Sequence, residues 1–279
     1  MGVPPGLAEL LSPLVVEPAA TALITDFDGT LSPIVSDPEA ARPLDGVADL
    51  LQRLARRFGV VAVVSGRPAA FLAERLPSTR GGTDRVRRIG LYGMEEVGPD
   101  GAVHLADAAR PWLATVSGVA GRLADEVPSG VLVEVKGVAV TLHWRRAPDA
   151  EDGVVSRVAD EAARSGLVAH RGRASIELRP PLEIDKGTVV RGLTEQCRAA
   201  CFLGDDLGDL PAYAALARRS EEDGMRTVGV AVRDAETSPD VLAVADLVVD
   251  GPEGAREVLG WLATAGGSDG RTPAGAAGG

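Results

Sequence analysis

The stretch "ALITDFDGTLSP" (residues 22–33) halts an apolar run at two aspartates, Asp26 and Asp28, with Gly29 and Thr30 directly behind them. Similar short runs recur at "VVAVVS" (60–65), "RIGLYG" (88–93), "CFLGDD" (201–206), "TVGVAV" (227–232) and "LVVDG" (247–251). Their near-continuous hydrophobicity fits strands covered on both faces, as in a parallel sheet. Turn signals and helical patterns separate them. "LDGVADLLQRLARRF" (44–58) sets Val47, Leu50, Leu51, Leu54 and Phe58 on one helical face. "PAAFLAERL" (68–76) opens on a proline suited to a first helical turn. This alternation predicts an α/β core built on a doubly wound parallel sheet.

Residues 109–180 follow another rhythm. A helical stretch, "ARPWLATVSGVAGRLADEV", precedes two strands in "GVLVEVKGVAVTLHWRRA". A second helix, "PDAEDGVVSRVADEAARSG", precedes two more in "LVAHRGRASIELRP". The αββαββ pattern predicts an inserted, smaller α+β cap domain with an antiparallel sheet and both helices on one face. The core then comprises residues 1–108 and 181–265, the cap 109–180, and the Gly/Ala-rich residues 266–279 a disordered tail.

Composition bounds the partners. The 279 residues are 45% hydrophobic and 25% charged, as in a soluble globular protein. The apolar runs of four to seven residues fall far short of the roughly 20 needed to span a bilayer. The N-terminus has no basic segment leading into a compact apolar one, so no signal peptide is expected and the cytoplasm is the expected compartment. A net charge of −11 argues against nucleic acid or an anionic membrane as partner. A small anionic substrate remains compatible, because a bound metal and local N–H groups can invert the field in one pocket. Cys197 and Cys201 read as buried reduced thiols, and with only three histidines the chemistry should rest on carboxylates and lysine.

A doubly wound sheet binds ligands beyond the carboxyl ends of its strands, where Asp26 and Asp28 fall. Alone, D-x-D-G-T could be a turn whose aspartates bind backbone. Three further strand and helix ends point elsewhere. "VVSGRP" ends on Ser65, Gly66 and Arg67; "CFLGDDLGDL" supplies Asp205, Asp206 and Asp209; "EIDKGT" puts Lys186 at a helix start. Together they could hold a phosphate and a divalent cation such as Mg²⁺, which takes few protein carboxylates and completes its shell with water and substrate oxygens.

In the cap strands, alternation groups Glu134, Lys136, Thr141, His143, Arg145, Ser175, Glu177 and Arg179 on one face. Val133, Val135, Val140, Leu142, Trp144, Ile176 and Leu178 take the other and should pack on the cap helices. The polar face could simply meet water, as one face of an antiparallel sheet often does. It could equally close over the core and bind a hydroxyl-rich substrate.

D-F-D-G-T, S-G-R, the downstream lysine and G-D-D-x-x-D resemble the four motifs of the haloacid dehalogenase superfamily, mostly magnesium-dependent phosphohydrolases. The resemblance implies that Asp26 is the nucleophile that becomes an aspartyl-phosphate and Asp28 the general acid and base. It implies Mg²⁺ held by Asp26, the Asp28 carbonyl and Asp205, with Asp206 and Asp209 behind them, and phosphoryl oxygens held by Ser65 and Lys186. More narrowly, "DFDGTLSPIVSDPEAARP", "VEVKGVAVTLHWR" and "IELRPPLEIDKG" resemble the trehalose-6-phosphate phosphatase family, over about residues 20 to 265. That family implies conversion of trehalose 6-phosphate to trehalose and phosphate, with functional coupling to a trehalose-phosphate synthase. It points to Gly66, Arg67, Glu95, Lys136, His143, Glu177 and Arg179 as substrate-binding residues. Gly208, Leu210 and Tyr92 depart from the family pattern, which has threonine, an acid and histidine there. Alternatives are a phosphatase for sucrose 6-phosphate, mannosyl-3-phosphoglycerate or a hexose phosphate, a phosphomutase, and a catalytically silent partner of the synthase.

Overall fold

The computed structural model describes residues 5–35, 37–77, 85–172 and 174–265. Before the insertion come β1 (Thr21–Thr25), β2 (Val60–Val64), β3 (Val86–Gly90), β4 (Glu95–Val97) and β5 (Val103–Leu105). The insertion carries β6 (Leu132–Lys136), β7 (Ala139–His143), β8 (Val168–Gly172) and β9 (Ser175–Arg179). After it come β10 (Ala199–Gly204), β11 (Arg226–Arg233) and β12 (Leu247–Asp250). The helices are α1 (Pro5–Leu11), α2 (Val47–Ala55), α3 (Ala69–Arg75), α4 (Leu113–Glu126) and α5 (Glu151–Ser165), then α6 (Lys186–Leu193), α7 (Leu210–Asp223), α8 (Pro239–Val244) and α9 (Gly251–Thr264).

The larger sheet runs β12-β11-β10-β1-β2-β3-β4-β5. From β12 to β3 every pairing is parallel. From β1 the chain moves outward through β2 and β3, and after the insertion it returns to β10 and moves the other way. The switch in direction falls between β1 and β10, where a doubly wound sheet opens a crevice at its carboxyl edge. The short β4 and β5 extend the sheet antiparallel, an addition whose three-residue strands carry no readable period.

Alternate side chains of each central strand serve opposite layers, which is why these runs read as continuously apolar. Leu23, Val61, Val63 and Leu203 pack with α2 and α9 through Leu50, Leu54, Val258 and Leu262. Ile24, Ala62, Val64 and Phe202 pack with α6 and α7 through Val190 and Leu216. The apolar face read in residues 44–58 is the buried one, with none of its five residues more than 4% exposed. Cys201 is buried in the core, whereas Cys197 is only half-buried, and both are free thiols.

The second sheet, β6-β7-β9-β8, is antiparallel. Helices α4 and α5 cover one face, setting Val116, Leu123, Val154 and Val158 against Val140, Leu142, Ile176 and Leu178, with Trp144 just past β7. Val135, expected on this apolar face, is instead 56% exposed on the edge strand β6. The run "RIGLYG" is a strand only to Gly90; Leu91, Tyr92 and Gly93 then turn through φ of 47°, 60° and 120°. The expected tail, 266–279, lies outside the described residues. Among the described residues no helix is long and apolar enough to cross a membrane.

Leu142 is fully buried in the apolar layer of the cap. Leu142→Ala is expected to cost about 2–5 kcal/mol in urea unfolding. A loss under about 1 kcal/mol would mean that this layer is loosely packed.

Candidate active site

Parallel pairing of β1 with β10 carries the two acidic loops out of the sheet side by side. The Asp26 N–H donates to the Leu203 carbonyl at 2.8 Å, so Asp26 and Asp205 leave adjacent strand ends. Between the two aspartates of the first loop, Phe27 turns into the core and meets Phe71 edge-on, with ring centroids 5.7 Å apart. Gly29 follows with φ of 74°, and a Cβ there would lie 2.0 Å from Asp205 Oδ2. Only glycine lets this loop close on Asp205. Thr30 Oγ1 then donates to Asp205 Oδ1 at 3.2 Å.

Lys186 is the first residue of α6, whose start is fixed by reciprocal hydrogen bonds between Asp185 and Thr188. Its Nζ donates to Asp26 Oδ1 at 2.7 Å and Asp209 Oδ1 at 2.6 Å. The other Asp209 oxygen accepts from the N–H groups of Asp205 and Asp206, at 2.9 and 3.1 Å. Asp206 Oδ1 accepts from the Gly208 N–H at 2.9 Å and so shapes the turn. Oxygens of Asp26, Asp205 and Asp209 all lie within 4.8 Å of one another, and all three residues are buried.

One ammonium cannot neutralise three buried carboxylates. Burial, then the charges of Asp26, Asp209 and Asp206, push the Asp205 carboxyl up to about 9. Burial likewise raises Asp26 well above the usual carboxylate range despite Lys186. Lys186 is held well above the ordinary lysine value, because Asp209 and Asp26 outweigh the effect of its own burial. This donor set, all hard oxygen and short of positive charge, fits a divalent cation.

Asp28 lies outside that cluster. Its carboxylate accepts two hydrogen bonds from Arg67, Nε to Oδ2 at 2.8 Å and Nη2 to Oδ1 at 2.9 Å. Arg67 in turn rests on the Phe71 ring, 4.7 Å from its centroid. Ser65 is 2% exposed, and its Oγ accepts the Arg67 N–H at 3.1 Å. Gly66 leaves room for the Tyr92 hydroxyl, which would stand 2.6 Å from a Cβ at that position.

Across from these loops, the cap sheet aligns Glu134, Thr141, Glu177 and His170 in one row of its register. Glu134 Oε2 meets His143 Nε2 at 2.8 Å and Lys136 Nζ at 3.3 Å. Burial works to raise Glu134, but His143 and Lys136 outweigh it and hold its carboxyl below the ordinary range. Thr141 Oγ1, Glu177 Oε1 and Arg179 Nε are buried without a hydrogen-bond partner. Buried polar atoms are nearly always paired, so three orphans on one face mark where a polar ligand would complete them. Burial raises the Glu177 carboxyl. Arg179 stacks over the Tyr92 ring at 4.3 Å, and burial followed by Glu177 pushes the Tyr92 hydroxyl up to about 12.

Of the residues read from the sequence, Asp26, Lys186, Asp205 and Asp209 form one buried cluster. Asp209, expected behind the metal, is part of it. Ser65, Gly66 and Arg67 form an adjoining loop that holds Asp28 through Arg67, and Lys136, His143, Glu177 and Arg179 share the cap face. Glu95 stands apart: its Oε2 accepts the Ala69 N–H at 2.9 Å, and it sits against Gly137 of the cap hairpin. Arg145 is exposed beyond the end of β7. The sequence names Thr30 without showing its bond to Asp205, and does not show Glu134 as the partner of both Lys136 and His143. For the first, the threonine of D-G-T itself was the visible signal; the second needs cross-strand register, which alternation does not supply.

Comparison with known proteins agrees with this geometry. The trehalose-phosphatase family model matches residues 24–245. A trehalose-phosphate phosphatase of Mycobacterium avium is 39% identical over 205 residues, covering 70% of this chain and 51% of the relative. The chain thus spans about half the length of the curated relatives it matches. The C-terminal domain of Candida albicans trehalose-6-phosphate phosphatase superposes with a TM-score of 0.70 at 26% identity, over 93% of this chain and 96% of that one. A haloacid dehalogenase-like hydrolase from Bacteroides thetaiotaomicron, at 14% identity over 86% of this chain and 98% of that one, shares the fold alone, with a TM-score of 0.57. The loops at the β1 and β10 ends, the lysine at the start of α6 and the polar cap face agree with the match, and the chain belongs to the trehalose-phosphatase family.

Proposed function

We propose that the chain is a Mg²⁺-dependent phosphohydrolase that converts trehalose 6-phosphate to trehalose and phosphate. The observation that carries this reading is the pairing of two surfaces. A cluster of buried carboxylates short of positive charge on the core faces a cap sheet with buried hydroxyl, carboxylate and guanidinium atoms lacking partners. The first suits a phosphoryl group with its cation, the second a molecule rich in hydroxyls.

In this reading an Asp26 oxygen attacks phosphorus, the bond from phosphorus to the sugar oxygen breaks, and Asp28 gives that oxygen its proton. Water then attacks phosphorus, Asp28 takes the water proton, and the bond from phosphorus to Asp26 breaks. Protonation of Asp28 removes the charge that strengthens its two Arg67 hydrogen bonds and leaves its hydroxyl oxygen the weaker acceptor, so the pair loosens when Asp28 carries the proton. Asp26, Asp205 and the Asp28 carbonyl would hold Mg²⁺, which supplies neutralising charge that lets a carboxylate approach a phosphate dianion. Both Asp209 oxygens are taken by Lys186 and the backbone, so Asp209 orients the cluster. Ser65 and Lys186 offer donors to the phosphoryl oxygens.

Lys136, His143, Glu177 and Arg179, with Glu134 and Thr141, would bind sugar hydroxyls. The reaction that supplies the substrate must join two sugars, one already phosphorylated, which is the basis for coupling to a trehalose-phosphate synthase. Two unpaired thiols favour a reducing compartment, and the cytoplasm is the one we propose.

The test is phosphate release with Mg²⁺ across trehalose 6-phosphate, sucrose 6-phosphate, glucose 6-phosphate and mannosyl-3-phosphoglycerate. We expect kcat/KM for the first to exceed the others by at least roughly a hundredfold. A flat profile would discard the sugar assignment while leaving the aspartate chemistry standing.

Asp26→Asn is expected to abolish any phosphoprotein trapped by rapid acid quench. Persistence of the adduct would move the nucleophile elsewhere.

Metal binding should also depend on pH. The Asp205 carboxyl stands at about 9 against an ordinary 3.8, so the folded, metal-free protein keeps a proton that the unfolded chain releases. That stabilisation is present below the unfolded value and is lost as pH rises toward the folded one. A divalent cation must displace the same proton, so its binding is weak at the acid end of that window and tightens as pH rises through it. The rise in Tm on adding Mg²⁺ should therefore grow from about pH 5 to about pH 8. A constant increment would mean that these carboxylates are already ionised without metal.

A further inference from the structure

The turn after β3 is where the cap meets the core. Leu91 and Met94 pack with Val138 of the cap hairpin, together with Ala109, Leu182 and Ile184 of the two connecting segments. Gly137 lies so close to this turn that a Cβ would stand 2.5 Å from Glu95 Oε1 and 3.2 Å from Leu91 Cδ1. Leu91 and Tyr92 are consecutive non-glycine residues in left-handed conformations, with φ of 47° and 60°. Hydrogen bonds to the phosphate-side loop hold them there: Leu91 N–H to the Arg67 carbonyl at 2.9 Å and Tyr92 N–H to the Ser65 carbonyl at 3.0 Å. Left-handed backbone in such residues persists only where the surroundings impose it.

This backbone aims the Tyr92 side chain between the two halves. Its ring lies beneath the Arg179 guanidinium at 4.3 Å. Its hydroxyl rests over Gly66. Arg179 Nε makes no hydrogen bond, so the aromatic face is the cushion that sets the guanidinium plane. Arg67, on the same loop as Gly66, holds Asp28.

We propose that Tyr92 is a positioning residue that couples cap to core, its ring seating Arg179 over the site while its backbone is tied to the Ser65–Arg67 loop. A substrate reaching from phosphate to sugar would need both ends held in register, and Tyr92 touches both the Gly66 loop and Arg179 of the cap. The inference rests on the sugar-phosphate phosphatase reading above and assigns Tyr92 a part in discriminating sugar esters from simple ones.

The experiment compares Tyr92→Phe, which keeps the aromatic face, with Tyr92→Leu, which keeps apolar bulk but has none. For each, kcat/KM is measured on trehalose 6-phosphate and on p-nitrophenyl phosphate, with Tm as a check on folding. In Tyr92→Leu the ratio of the two should fall at least about tenfold, with most of the change in KM for the sugar ester. Tyr92→Phe should keep the ratio within about threefold of the parent. Adding Tyr92→Leu to Arg179→Lys should change the ratio by less than about twofold, because the stacked pair is already broken. An unchanged ratio in Tyr92→Leu at native Tm would overturn the coupling, as would equal losses in the two Tyr92 variants. If the parent protein shows no preference for the sugar ester, the functional reading falls and this inference with it.

Discussion

Lys186 is packed against two of three buried carboxylates, and the loops around it are built to tolerate the charge it leaves unbalanced. Burying a carboxylate without a partner costs several kcal/mol, so the acidic residues must be held together by more than their own ion pairs. Asp209 does this by accepting from Lys186 with one oxygen and from two backbone N–H groups with the other. Gly29 does it by sterics, since no other residue allows the first loop to approach Asp205 so closely. The remaining negative charge is a standing demand for protons or a cation; burial first, and then the neighbouring carboxylates, raise Asp26 and Asp205 together.

That demand can be met only because sheet topology delivers the groups from distant parts of the chain. Asp26 is separated from Lys186 and Asp205 by the whole cap, and they meet because β1 and β10 are neighbours, with the return from the cap entering α6 directly beside them. The insertion therefore sits between the strands that carry the site. Closure over the site needs no long reach: the first cap element leaves from beside Leu105, and the last cap strand ends at Arg179, seven residues before Lys186.

Much of this was legible in the sequence because the relevant signals are local. Apolar runs ending in D-x-D-G-T, S-G-R and G-D-D mark strand ends whatever their pairing, and α2 shows its buried face in its period. The less legible parts depend on partners. Alternation placed Glu134, Lys136 and His143 on one face but could not show that Glu134 binds the other two, because that follows from pairing β6 with β7. Asp209 was read as a residue behind the metal, since its role as brace for Lys186 arises from a residue 23 positions away. β4 and β5 are too short to carry a period, and the left-handed turn at Leu91 and Tyr92 goes against the preference of both residues. Val135 looked buried because alternation does not tell an edge strand from a central one.

The two halves of the site err in opposite directions, and the cap face explains why they must come together. The core has too much negative charge among groups that are otherwise well bonded; the cap has well-placed polar atoms with too few bonds. Glu134 is stabilised by His143 and Lys136, whereas its row neighbours Thr141 and Glu177 each keep a buried atom unpaired. An unpaired buried polar atom costs about 1–3 kcal/mol, so three of them are a stored cost that a hydroxyl-bearing ligand relieves. A divalent cation relieves the excess on the core, and a phosphate held through that cation, with hydroxyls at its other end, would supply the partners the cap lacks. A simple phosphate ester, even with its cation, leaves the buried cap atoms unpaired, and this difference is the physical basis for the selectivity we propose for the cap.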